Sequence, residues 1–122
     1  MVESKLSTDA VAVANWRSKR ETFSVVEPAL QHLMLAEQAR LGRLAIVRTI
    51  DTAGQGHIGG DLSVIDLLTS LYFGILNLDP ANPNWPERDR FILSKGHCAA
   101  ALYSTLAHAG YFNADELSTF MA

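Results

Sequence analysis

The chain of 122 residues has little cysteine, no basic excess and no long apolar run. Cys98 is its only cysteine, so no intramolecular disulfide can form, and a reducing compartment is the simpler expectation. Ten lysines and arginines stand against 13 aspartates and glutamates, for a formal net charge of -3. That balance offers no basic surface to nucleic acid or to an anionic membrane. No apolar run reads as long enough to cross a bilayer, and the short run from Ala10 to Ala14 does not make a secretory leader. Internal repeats and low-complexity stretches are missing too. The expectation is a cytoplasmic protein with no nucleic-acid or membrane partner.

The composition itself is that of a globular domain, 48% hydrophobic and 19% charged. Residues 1–24 are mixed and polar without sustained periodicity, and read as an N-terminal arm docked through Trp16 and Phe23. Pro28 suits a first helical position. After it Leu30, Leu33, Met34, Leu41, Leu44 and Ala45 recur at three- and four-residue steps, predicting an amphipathic helix to about Thr49. A second helix is expected from about Leu62 to Leu78, with Ser63 and Asp66 at capping-box spacing. It is apolar on nearly every side and therefore expected to be buried. Pro80, Pro83 and Pro86 mark a turn-rich connection anchored by Trp85. Arg90–Ser94 reads as a short buried strand, Cys98–His108 as a third helix stopped by Gly110, and Asn113 with Glu116 as the start of a fourth. Four helices and one strand leave the second helix short of partners. Residues 25–122 are thus expected to be the incomplete front part of a larger domain.

Two motifs organise this frame, Gly54-Gln-Gly-His-Ile-Gly-Gly60 and Ser94-Lys-Gly-His97. Glycine lets a ligand approach the main chain closely, so the first motif reads as a contact loop. Gly54, Gly56 and Gly59 also satisfy the dinucleotide-binding pattern, with Asp79 lying 20 residues beyond Gly59. The context opposes that reading. Arg48 would lie in a strand buried on both faces, Asp51 to Ala53 separate that segment from the glycines, and Asp79 ends a helix. Each motif instead sets a histidine directly after a glycine where a helix begins. Backbone N–H groups there attract anions, and an imidazole adds a donor that titrates near neutral pH. A single such histidine reads as a cap or a packed residue; two together point to a phosphate or sugar site. His57, His97 and Gly96 are the candidate site residues. His32 and His108 are given no function, and Cys98 reads as a small packed side chain.

From Leu33 to Ala122 these pieces resemble the N-terminal region of transketolase. The likeness rests on Gly56-His57-Ile-Gly59-Gly60, the apolar helix ending Leu-Tyr-Phe, and the Asp-Pro-x-Asn-Pro-x-Trp turn at 79–85. It continues through Arg88-Asp-Arg-Phe-Ile-Leu-Ser-Lys-Gly-His97, Leu102-Tyr103 and Gly110-Tyr111. Ser-Lys-Gly-His is most similar to the N-terminal subunit of bacterial transketolases split into two chains. Ile58 replaces the proline frequent in long single-chain enzymes, and Asp61 stands where split forms often have serine. The resemblance implies an α/β fold, here the mostly helical front part of a doubly wound thiamine diphosphate-binding domain. It implies transfer of a two-carbon ketol unit from a ketose (phosphate) to an aldose (phosphate). His97 and Gly96 would contact the cofactor diphosphate, with His97 also near the substrate's terminal hydroxyl, and His57 would contact substrate hydroxyls and assist proton transfer. A divalent metal, magnesium, would be held by a Gly-Asp-Gly segment that this sequence lacks. Partners would be sugar phosphates and a C-terminal half or subunit, in a homo-oligomeric full enzyme. The segment alone is expected to be inactive. Two other readings stay open: a thiamine diphosphate-dependent synthase of deoxyketose phosphates, and a non-catalytic helical interaction module.

Overall fold

In the computed structural model, residues 6–121 are described. Four α-helices form the frame: α1 Ala10–Val25, α2 Pro28–Ala53, α3 Ile58–Ser70 and α4 Ala99–Ala109. A π-helical turn, Leu71–Ile75, extends α3, and short 3-10 turns occupy Gly96–Cys98 and Ala114–Thr119. The segment read as an arm carries a helix instead. Asp9 begins it, its Oδ1 accepting from the N–H groups of Val11 and Ala12 at 3.0 and 3.2 Å. Trp16 and Phe23 both face inward as expected. Trp16 is buried, its Nε1 donating to the Tyr72 carbonyl at 2.9 Å, and Phe23 is half-buried beside Gly74.

Pro28 opens α2 as expected, but the helix runs to Ala53, and its inner face differs from the predicted stripe. Gln38, Ala39, Gly42, Ile46 and Thr49 are buried, whereas Leu30, Leu33 and Leu44 are exposed. The small residues win because α3 lies close: a Cβ on Gly42 would stand 2.8 Å from the Ile65 side chain. Helix α3 starts at Ile58, earlier than expected, and Ser63 and Asp66 make no capping box. Ser63 Oγ donates to the Gly60 carbonyl at 2.9 Å, and Asp66 pairs with Arg43 at 3.1 Å. By length and composition Ile58–Ile75 would suffice to cross a membrane, contrary to the reading of the bare sequence. Its Val64, Ile65, Leu68, Tyr72 and Phe73 nevertheless form the centre of the core, with Trp16, Ile46, Ala101 and Ala109. It is not buried all round, since Leu67 and Ile75 are exposed.

No β-strand occurs among the described residues, so the strand expected at 90–94 is corrected to an extended segment. Its side chains alternate as a strand's do: Phe91 and Leu93 lean on the core while Ile92 is 86% exposed. What is missing is a neighbour to complete a ladder. The connection before it is clipped shut where Asn77 N–H donates to Asp89 Oδ2 at 2.7 Å and Asp89 N–H to the Asn77 carbonyl at 2.9 Å. Asp79 is a turn residue, bonded to Arg17 at 3.0 Å and to the Ala81 N–H at 3.2 Å. Trp85 is half-buried in the same connection. Gly110 ends α4 as expected, and the fourth helix proves to be a 3-10 turn capped by Asn113, which accepts from the Asp115 N–H at 2.8 Å.

Candidate active site

Gly54 terminates α2 in the left-handed conformation, φ 72°, with its N–H on the Ile50 carbonyl at 2.8 Å. Left-handed backbone costs glycine little, so this residue stops the helix rather than contacting a ligand. Gln55 and Gly56 carry the chain to His57, which takes the position before α3. Its carbonyl accepts from the Asp61 N–H at 3.1 Å, while its imidazole makes no cap and stays exposed. His97 lies within the turn Gly96–Cys98, with non-helical φ -94° and ψ 32°, directly ahead of α4. It too is exposed. The structure brings the two together: the rings meet edge to face with centroids 4.8 Å apart.

The α3 start and the 96–98 turn are held tightly against each other. Lys95 Nζ donates to the Gly60 carbonyl at 3.2 Å and to Ser63 Oγ at 2.6 Å. Between them opens a cavity of about 370 Å³, lined by Gln55, Gly56, His57, Asp61, Gly96 and His97 among others. A Cβ on Gly96 would meet nothing within 4 Å, so the backbone at the α4 start is open to a ligand. Outside the helices' own ladders, no backbone carbonyl among the described residues takes the N–H groups of Gly96 and His97. Open backbone donors beside an imidazole suit an anion such as a diphosphate.

Asp61 and Lys95 are the residues that sequence reading left without a role. Asp61 is 1% exposed, and its Oδ1 accepts from the Ala101 N–H at 2.9 Å. Burial pushes its carboxyl above the usual range, against the pull of the Ala101 N–H and of His57 and Lys95. An acid in the first turn of α3, next to the apolar Leu62, Val64 and Ile65, was the available signal. Cys98 is buried with its thiol on the Lys95 carbonyl at 3.1 Å, the packed residue expected. His32 is exposed on α2, and His108 lines different clefts, outside the histidine cavity. No three His, Cys, Asp or Glu side chains gather as metal ligands among the described residues.

The family model described as "Transketolase, thiamine diphosphate binding domain" matches residues 34–121. The chain is 47% identical over 89 residues to the 6-deoxy-6-sulfo-D-fructose transketolase subunit SqwG of a Clostridium species, covering 73% of this chain and 32% of that subunit. It is 44% identical over 82 residues to an apulose-4-phosphate transketolase subunit of Phocaeicola vulgatus, covering 67% and 29%. Against transketolase 2 of Vibrio vulnificus the figures are 40% over 72 residues, 58% of this chain and 11% of that enzyme. The chain thus spans about a third of the subunits it matches. With a model of that family fitting most of its length, and with both Gly-His motifs folded against one cavity, this chain belongs to the transketolase family, in its thiamine diphosphate-binding domain.

Proposed function

We propose that this chain supplies one wall of the active site of a transketolase-type enzyme, a thiamine diphosphate-dependent transferase. The enzyme moves a two-carbon ketol unit from a ketose to an aldose. The observation that carries this reading is the His57–His97 pair across an open cavity, at the starts of two helices. When bound, the cofactor supplies the carbon–carbon cleavage and re-formation. The chain's own residues bind and orient. His97, with the open N–H groups around Gly96, holds the diphosphate and reaches the substrate's terminal hydroxyl. His57 takes ketose hydroxyls and moves protons at its ring nitrogens.

The relatives' names carry sulfo and phosphate groups on their sugars, so the substrate proposed here is a ketose with an anionic end. The rest of the reading is proposed with it. The helices are the front of a doubly wound α/β domain. Magnesium is held by residues outside this chain, a C-terminal half or subunit completes the site, and the full enzyme is a cytoplasmic homo-oligomer. Neither the deoxyketose phosphate synthase nor the non-catalytic module is favoured by the family match or the relatives.

Calorimetric titration of thiamine diphosphate into the assembled enzyme tests the assignment. His97→Ala should weaken binding by about 1.5–3 kcal/mol, the loss of one charge-assisted contact. Equal affinity in the variant and the native enzyme would remove His97 from the cofactor site.

A further inference from the structure

Helix α4 has no side-chain cap of its own. Cys98 precedes it, and the thiol there is turned back to the Lys95 carbonyl. The first N–H groups of a helix need acceptors from outside it. For Ala101 that acceptor is Asp61, which precedes it by 40 residues and sits in the first turn of another helix. The two ends of this bond are placed alike. Asp61 follows His57 by four residues, and Ala101 follows His97 by four. The buried hydrogen bond therefore ties the turn behind one imidazole to the turn behind the other. Gly60 and the His97 carbonyl are packed beside it, and Lys95 closes the outer edge.

We propose that Asp61 is the positioning residue of the histidine pair, holding the His57 and His97 rings in register by accepting the Ala101 N–H. This rests on the reading of the pair as cofactor and substrate groups, and names what fixes their separation. The bond needs an acceptor oxygen and no charge. Burial already disfavours the carboxylate, so a neutral amide oxygen can take its place.

Three variants separate this role from mere stability. Asp61→Asn keeps the acceptor; Asp61→Leu deletes it while filling the space; Asp61→Ala deletes both. Nuclear Overhauser contacts between the His57 and His97 ring protons, and hydrogen exchange of the Ala101 amide, are read in the assembled enzyme without ligand. Circular dichroism confirms that each variant is folded. The native chain and Asp61→Asn should show the ring contact and a protected Ala101 amide. Asp61→Leu should lose both, and so should Asp61→Ala where it folds. An undiminished ring contact in Asp61→Leu, or its loss in Asp61→Asn, overturns the proposal. In the assembled enzyme Asp61→Leu should weaken thiamine diphosphate binding about tenfold or more, with Asp61→Asn near the native value. The two arms are independent: the expected ring contacts without any thiamine diphosphate binding would sink the cofactor reading and leave the role of Asp61 standing.

Discussion

A methyl group added to Gly60 would lie 2.7 Å from the carbonyl oxygen of His97. Real Cβ atoms do not come that close to backbone oxygen, so the α3 start or the 96–98 turn must shift. Gly60→Ala should cost about 1–3 kcal/mol of stability, in the range for overpacking a close contact. It should also loosen the histidine pair and weaken thiamine diphosphate binding in the assembled enzyme. Thermal unfolding and cofactor titration of the variant check both effects. Native stability and native affinity together would show that the contact is slack.

His57 stands on the Gly54–Gly60 loop side of the cavity, and His97 at the start of α4, where the open N–H groups lie. His57→Ala should therefore lower kcat/KM for the ketose more than it lowers cofactor affinity. The lost proton-transfer group corresponds to about 100-fold or more in rate. Steady-state kinetics beside a cofactor titration separates the two. A variant that fails only in cofactor binding would move His57 to the diphosphate side.

The histidine pair was legible because its signal is local. A glycine and a histidine at a helix start need no tertiary information to be recognised, and both pairs converge as expected. Asp61 was not legible as a cap, because the N–H it serves belongs to a helix 40 residues later in the chain. The inner face of α2 misled for a different reason. Leu30, Leu33 and Leu44 make the stronger periodic stripe, yet the close approach of Ile65 selects the face carrying Gly42 and Ala39. Periodicity finds a helix; which side is buried depends on what arrives to cover it. Arg90–Ser94 has the alternation of a strand and no ladder, since strand character is completed only by a pairing partner. Helix α1 escaped a reading by periodicity because its residues form no clean apolar stripe; the Asp9 side chain caps it all the same.

Trp16 fastens α1 to the end of α3. Its Nε1 donates to the Tyr72 carbonyl, which also accepts from Arg20 Nη1 at 3.2 Å. Trp16→Phe keeps most of the apolar contact and removes one donor, while Arg20 still serves the carbonyl. The expected loss is about 1–2 kcal/mol. Trp16→Ala, which also empties the site, should cost about 3–5 kcal/mol. Urea unfolding of the three proteins measures the series. Equal losses for the two variants would show that the indole N–H, and not the ring volume, carries the attachment.

His108 lies in the last turn of α4, where the helix dipole favours a charged imidazolium. The environment decides otherwise. Its Nδ1 is 3.5 Å from Gln38 Nε2, and the Gln38 Oε1 accepts from Lys19 Nζ at 2.6 Å. Burial, and then the Lys19 charge, hold its pKa below the ordinary 6.5. The unfolded chain therefore binds the proton more readily than the folded one, and stability must rise with pH across that interval. The contribution is fully present above the ordinary value and is lost as pH falls through the lower folded value. His108→Gln cannot titrate and should escape this loss. Urea unfolding from about pH 7 to about pH 5 should show the native chain losing stability relative to the variant. Parallel curves for the two proteins would mean that His108 takes up its proton as easily in the fold as outside it.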